Sequence, residues 1–130
     1  MKKYGRKTRD IVFFSAKNQT TLCVHTPQAR RYAKLLEEDT RIRSYEVNHP
    51  LDAAWIARID RVGIRGAYLQ TQWTTDFVIT DQDGGEAIRE IVTADLLGKH
   101  AEVEKLELSR RYWKARGIED WRLVLTGEAE

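Results

Sequence analysis

The chain has 130 residues, 42% of them hydrophobic and 32% charged, and its 22 Lys and Arg against 20 Asp and Glu leave a formal net charge of +2. That length supports one domain with its own core, and the near balance of charge excludes a histone-like polycation as firmly as an acidic solvating protein. A single cysteine excludes an intrachain disulfide and points to a reducing, cytoplasmic setting, while no apolar run approaches the ~18 residues of a membrane span, so no membrane role is expected.

In chain order, Lys2, Lys3, Arg6, Lys7 and Arg9 all precede the first acidic residue, Asp10. Residues 1–10 read as a basic arm for phosphate contacts or as a solubilising tail, and residues 11–127 as the folded domain. Ile11 to Ser15 and Thr21 to Val24 are β-prone runs joined at Lys17-Asn18-Gln19, which predicts a hairpin. Thr26-Pro27 then starts a helix, threonine as cap and proline at the first helical position, with Ala29, Tyr32, Ala33 and Leu36 on its apolar face. Arg30, Arg31 and Lys34 lie opposite, as a solvated surface or as further phosphate contacts.

Ile42 to Asn48 alternates as a strand up to Pro50, and Trp55 to Val62 reads as a further β-rich stretch ahead of Gly63 and Gly66. Strands around Phe77 and from Ile88 to Thr93 flank the turn Asp81-Gln82-Asp83-Gly84-Gly85, where glycine accepts positive φ. Lys99 to Arg116 is a long helix closed by Gly117, with Val103, Leu106, Arg110 and Trp113 on one stripe and Ala101, Leu108 and Tyr112 on another. Trp121 to Leu125 is the last strand. The order implies an α/β or α+β domain whose mixed central sheet is flanked by helices, the long helix making the last two strands parallel.

His25, His49 and His100 are scattered and show no zinc-motif spacing with a cysteine or with one another, so no zinc site is expected. The sequence also lacks a GxSxG elbow, a Walker lysine loop and a dinucleotide-binding glycine pattern.

The run Thr75-Asp76-Phe77-Val78, and above all Glu104-Lys105-Leu106-Glu107-Leu108-Ser109-Arg110-Arg111-Tyr112-Trp113 with Gly117-Ile118 after it, resembles TnsA, the endonuclease subunit of heteromeric bacterial transposases. The resemblance extends more loosely back through Thr26 to Leu51. It implies a restriction-endonuclease-like, PD-(D/E)XK fold that nicks DNA at transposon 5′ ends with Mg²⁺, beside a partner transposase. The family's strand aspartate falls on Asp76, its helix glutamate on Gln28 and its strand lysine on Thr93. Catalytic and metal roles are thus expected at Asp76 and Gln28, with Thr93 at the lysine position.

Replacing glutamate by Gln28 removes a full negative charge from a Mg²⁺ site, which normally needs one or two carboxylates. Loss of the lysine removes a preorganised cation, a change that costs on the order of 10²- to 10³-fold in rate for comparable groups. Glu90 alternates onto the face opposite Thr93 and is expected to point away from the site. Lys99, His100 and Asp95 are candidates to compensate.

Three functions follow as expectations. One is an active Mg²⁺-dependent DNA endonuclease with an altered site around Asp76. The second is a DNA-binding protein that uses Lys2, Lys3, Arg6, Lys7 and Arg9 together with Arg30, Arg31 and Lys34. The third is a catalytically dead module that docks on a transposase, another mobile-element protein or a second copy of itself, through tryptophans such as Trp55, Trp73 or Trp121. Impaired cleavage with retained binding is the principal expectation.

Overall fold

A computed structural model of the protein describes residues 10–69 and 72–126. The basic residues at positions 2, 3, 6, 7 and 9 therefore lie outside the described residues. A two-stranded hairpin, β1 (Ile11–Ser15) and β2 (Thr20–Val24), pairs in register from Ile11↔Val24 to Ser15↔Thr20. Helix α1 (Pro27–Glu38) follows, its start set by the Thr26 hydroxyl, which accepts the Ala29 N–H at 3.1 Å. Pro27 sits where a first-turn N–H has no intrahelical partner to lose.

The main sheet has the order β3-β4-β5-β6, formed by β3 (Ile42–Pro50), β4 (Thr74–Asp81), β5 (Glu86–Thr93) and β6 (Trp121–Thr126). The first two pairings are antiparallel and β5–β6 is parallel, so the sheet is mixed and the domain α+β. At the β4–β5 turn Gly84 takes φ +88°, and the Asp81 carboxylate accepts the N–H groups of Asp83 and Gly85 at 2.9 Å each. Short helix α4 (Ala94–Leu97) and long helix α5 (His100–Ala115) carry the chain from β5 back to the start of β6. Gly117, at φ +89°, stops α5 in a Schellman motif: its N–H donates to the Lys114 carbonyl, and that of Ile118 to Trp113.

The two helical faces build two cores on opposite sides of the sheet. Ala29, Ala33 and Leu36 of α1 pack with Tyr45, Phe77 and Ile79, and the hairpin closes over them. Leu108, Tyr112 and Trp113 of α5 pack with Val78 and Ile88 on the other side. Alternation along β4 and β5 sends successive side chains to the two cores, which is why Phe77, Val78 and Ile79 are apolar and buried in succession at the middle of β4.

Two expectations are corrected. Residues 55–62 do not form a strand: Asp52 caps the single helical turn α2 (Ala53–Ile56), and turns lead to α3 (Gly66–Leu69). Leu51, Ile56, Ile59 and Ile64 all enter one core, a spacing that a strand's alternation cannot satisfy. On α5 the buried stripe is Leu106, Leu108, Ser109, Tyr112 and Trp113, whereas Val103 is 49% exposed and Arg110 pairs with Glu107 at 2.6 Å in solvent. Trp55, Trp73 and Trp121 lean, partly buried, on the α5-side core. No helix among the described residues is long and apolar enough to cross a membrane.

Leu108→Ala, which empties a fully buried position, should lower stability by about 2–5 kcal/mol, while Val103→Ala should change it by no more than about 0.5 kcal/mol. Urea denaturation of the two variants reads the difference.

Candidate functional site

The β4–β5 ladder stops before its strands do. Its last backbone pair is Phe77↔Arg89, although β4 begins at Thr74 and β5 runs on to Thr93. Beyond it, side chains replace the ladder bonds. The Asp76 N–H donates to Glu90 Oε1 at 3.0 Å, and the Ile91 N–H donates to Asp76 Oδ2 at 2.8 Å. The neighbouring ladders persist, β3–β4 to Pro50↔Thr74 and β5–β6 to Thr93↔Thr126, so the sheet parts between its two central strands.

A pocket of about 180 Å³ opens at this parting. It is lined by Thr26, Gln28 and Ala29 from the start of α1, Asp76 from β4, Ile91 to Thr93 from β5, Leu96 from α4, and Glu102 and Lys105 from α5. Gln28, Asp76 and Thr93, far apart in the chain, thus border one pocket. Gln28 is buried at the second position of α1, and Thr93, also buried, donates its hydroxyl proton to the Asp95 carboxylate.

Glu90 does not line this pocket, in keeping with the alternation that sets it opposite Thr93, yet its carboxylate lies against Asp76. It lies on the α5 side with Ile88, and Asp76 shares that side with Val78, which places the two carboxylates next to each other. Glu90 is 2% exposed, and its second oxygen accepts the Ser109 hydroxyl at 2.5 Å. Ser109 in turn accepts the Trp121 indole N–H at 2.9 Å. Burial, then the neighbouring Asp76 charge, pushes the Glu90 carboxyl up to about 7. Burial raises Asp76 as well, opposed by the Ile91 N–H and the positive charge of Lys105.

Lys105 is the cation in this constellation. Its ammonium lies 5.6 Å from the centre of the Trp73 ring, and its charge acts on both Asp76 and Glu90. It is therefore not merely a solvated helix residue, unlike its neighbours Glu104, bound to Arg65 at 2.8 Å, and Glu107, bound to Arg110 and Arg111. Glu102, Lys105 and Ser109 recur at steps of three and four, one helical stripe of polar residues beside an apolar face. That stripe is the signal by which the sequence could have offered them. Lys99 and His100 do not line the pocket.

The α1 cations divide. Arg31 and Lys34 line a groove of about 720 Å³ between α1 and β6 that shares Gln28 with the pocket. Arg30 instead stacks over the Phe13 ring at 4.0 Å, on the hairpin side. A cleft of about 350 Å³ lies at the other end of the sheet, by the β4–β5 turn, where Asp39–Arg41 and Arg89–Asp120 pair at 2.9 Å each. The histidines are also less isolated than their spacing implies, because the hairpin brings Asp10, Cys23 and His25 together.

Compared with known proteins, the chain matches no family profile and no curated protein.

The raised Glu90 carboxyl fixes the sign of a pH effect. With a folded pKa of about 7 against an ordinary 4.5, the native state holds the proton that the unfolded chain releases, so stability falls as pH rises across that interval. Asp76, also raised, acts in the same direction. Glu90→Gln keeps an acceptor for Asp76 and a partner for Ser109 without the buried charge, and should raise stability at pH 8 by roughly 1–3 kcal/mol while flattening the slope. Denaturation at a series of pH values tests this; an unchanged slope would remove Glu90 as its source.

Proposed function

We propose that this protein is a TnsA-like, restriction-endonuclease-type protein of a mobile genetic element that processes DNA ends, with a cleavage site altered rather than abolished. The reading is carried by one observation: Asp76, Gln28 and Thr93 converge on a pocket that Lys105 also lines. The mixed four-stranded sheet with α1 and α5 on opposite faces is compatible with such a fold.

The donors round the pocket suit Mg²⁺, which takes oxygen ligands: the Asp76 and Glu102 carboxylates and the Gln28 amide oxygen. Bound there, Mg²⁺ supplies Lewis-acid polarisation of a phosphodiester. The protein's own groups do the rest. Ile91 holds one oxygen of Asp76 and so fixes the direction of the other. Lys105 brings, from α5, positive charge to the place where β5 offers only Val92 and Thr93, and stabilises negative charge that develops on a phosphate. Arg31 and Lys34, along the adjoining groove, suit contacts to the DNA backbone. A partner transposase is implied by the resemblance.

A second reading, binding without cleavage, is favoured by the missing charge at Gln28 and by the raised carboxyls of Asp76 and Glu90, both of which weaken a cation site.

Supercoiled-plasmid nicking with Mg²⁺ or Mn²⁺ separates the two. The altered-site reading expects nicking by the wild type, none by Asp76→Ala, and a loss of about 10²- to 10³-fold in Lys105→Ala. A silent wild type with activity in Gln28→Glu/Thr93→Lys establishes binding without cleavage. Nicking indifferent to both Asp76→Ala and Lys105→Ala sinks the proposal.

A further inference from the structure

Outside the pocket, one group of side chains has the chemistry of a different metal. The β1–β2 pairing ends at Ile11↔Val24, so Asp10 and His25 are each the next residue beyond the ladder at the hairpin's open end, and Cys23 pairs with Val12 within it. Cys23 shares the outer face of the hairpin with its partner Val12, which is 63% exposed. Ligand atoms of Asp10, Cys23 and His25 lie within 4.8 Å of one another, the one such grouping among the described residues. The His25 Nδ1 is 3.2 Å from an Asp10 oxygen.

We propose that Asp10, Cys23 and His25 form a zinc site on the outer face of this hairpin, independent of the nuclease reading. A thiolate, an imidazole and a carboxylate are a donor set for a borderline cation such as Zn²⁺, and a poor one for Mg²⁺, which prefers oxygen alone. Zinc bonds of about 2.0–2.3 Å place tetrahedral ligands roughly 3.3–3.8 Å apart. The Asp10–His25 separation of 3.2 Å falls just short of that range, and exposed side chains can adjust by rotation: His25 is 50% and Asp10 75% accessible.

Coordination replaces the Cys23 S–H bond by a sulfur–zinc bond, and the thiol proton leaves to solvent. Three protein ligands leave a fourth position for a water or a further ligand, as in open zinc sites. Because Asp10 precedes the first residue of β1, the ion ties the entry of the chain to the far end of β2.

The test uses the full chain, stripped of metal under reducing conditions, and titrated with Zn²⁺ against a chromophoric chelator and with Co²⁺ by absorption. The wild type should bind a single equivalent tightly, show a thiolate-to-cobalt charge-transfer band, and melt at higher temperature with Zn²⁺. Cys23→Ser should abolish the band, and His25→Ala should weaken Zn²⁺ by more than the roughly 10- to 100-fold typical of outer-sphere changes. Both variants should match the wild type's melting temperature without metal. A wild type with no tight equivalent, a Co²⁺ form lacking the thiolate band, or undiminished binding by Cys23→Ser would overturn the site. Plasmid nicking by Cys23→Ser at the wild-type rate keeps this outcome separate from the pocket.

Discussion

The buried carboxylate of Glu90 holds the centre of this molecule. One oxygen accepts the backbone of β4 at Asp76, the other accepts Ser109 of α5, and Ser109 accepts the indole of Trp121 at the head of β6. Three elements are thus tied to β5 through one side chain. The cost is a charge in a poorly hydrated place, offset by a raised pKa and by the nearby ammonium of Lys105. The same interaction ends the β4–β5 ladder early, and the parting of those strands makes room for the pocket. Architecture and site therefore have a common origin.

The helices reach the pocket in complementary ways. The α1 start is rigid, capped by Thr26 and fixed by Pro27, which holds Gln28 at a defined place in the pocket wall. From the opposite side, α5 presents Glu102 and Lys105 in the turn that leads into its buried stripe at Leu106. A long lysine stem suits this position, because it spans from a helix to a strand end while packing beside Trp73. On the proposed reading, cation and carboxylate stay together although they come from different elements than a strand-borne pair would use.

Much of the architecture was legible. The hairpin, α1, the strands around Phe77 and Ile88, α5 with its Gly117 stop and the parallel last strand all follow from alternation, capping residues and turn chemistry. Where local pattern misled, packing had decided otherwise. Residues 55–62 carry β-prone side chains, yet Asp52 caps a turn of helix and the isoleucines plug a core. Val103 falls on a plausible apolar stripe, but the sheet contacts the helix along a slightly rotated face.

By itself the sequence determined the main strands, α1 and α5, their order and the residues able to do chemistry, since capping, periodicity and turn preference act over a few residues. Only the tertiary structure decided which of those residues meet. Glu90 and Asp76 are adjacent because two strands share a register, and Lys105 joins them because α5 crosses over that face. Asp10, Cys23 and His25 are neighbours because a hairpin closes. Each of these encounters depends on backbone pairing across long stretches of chain, which no local spacing records.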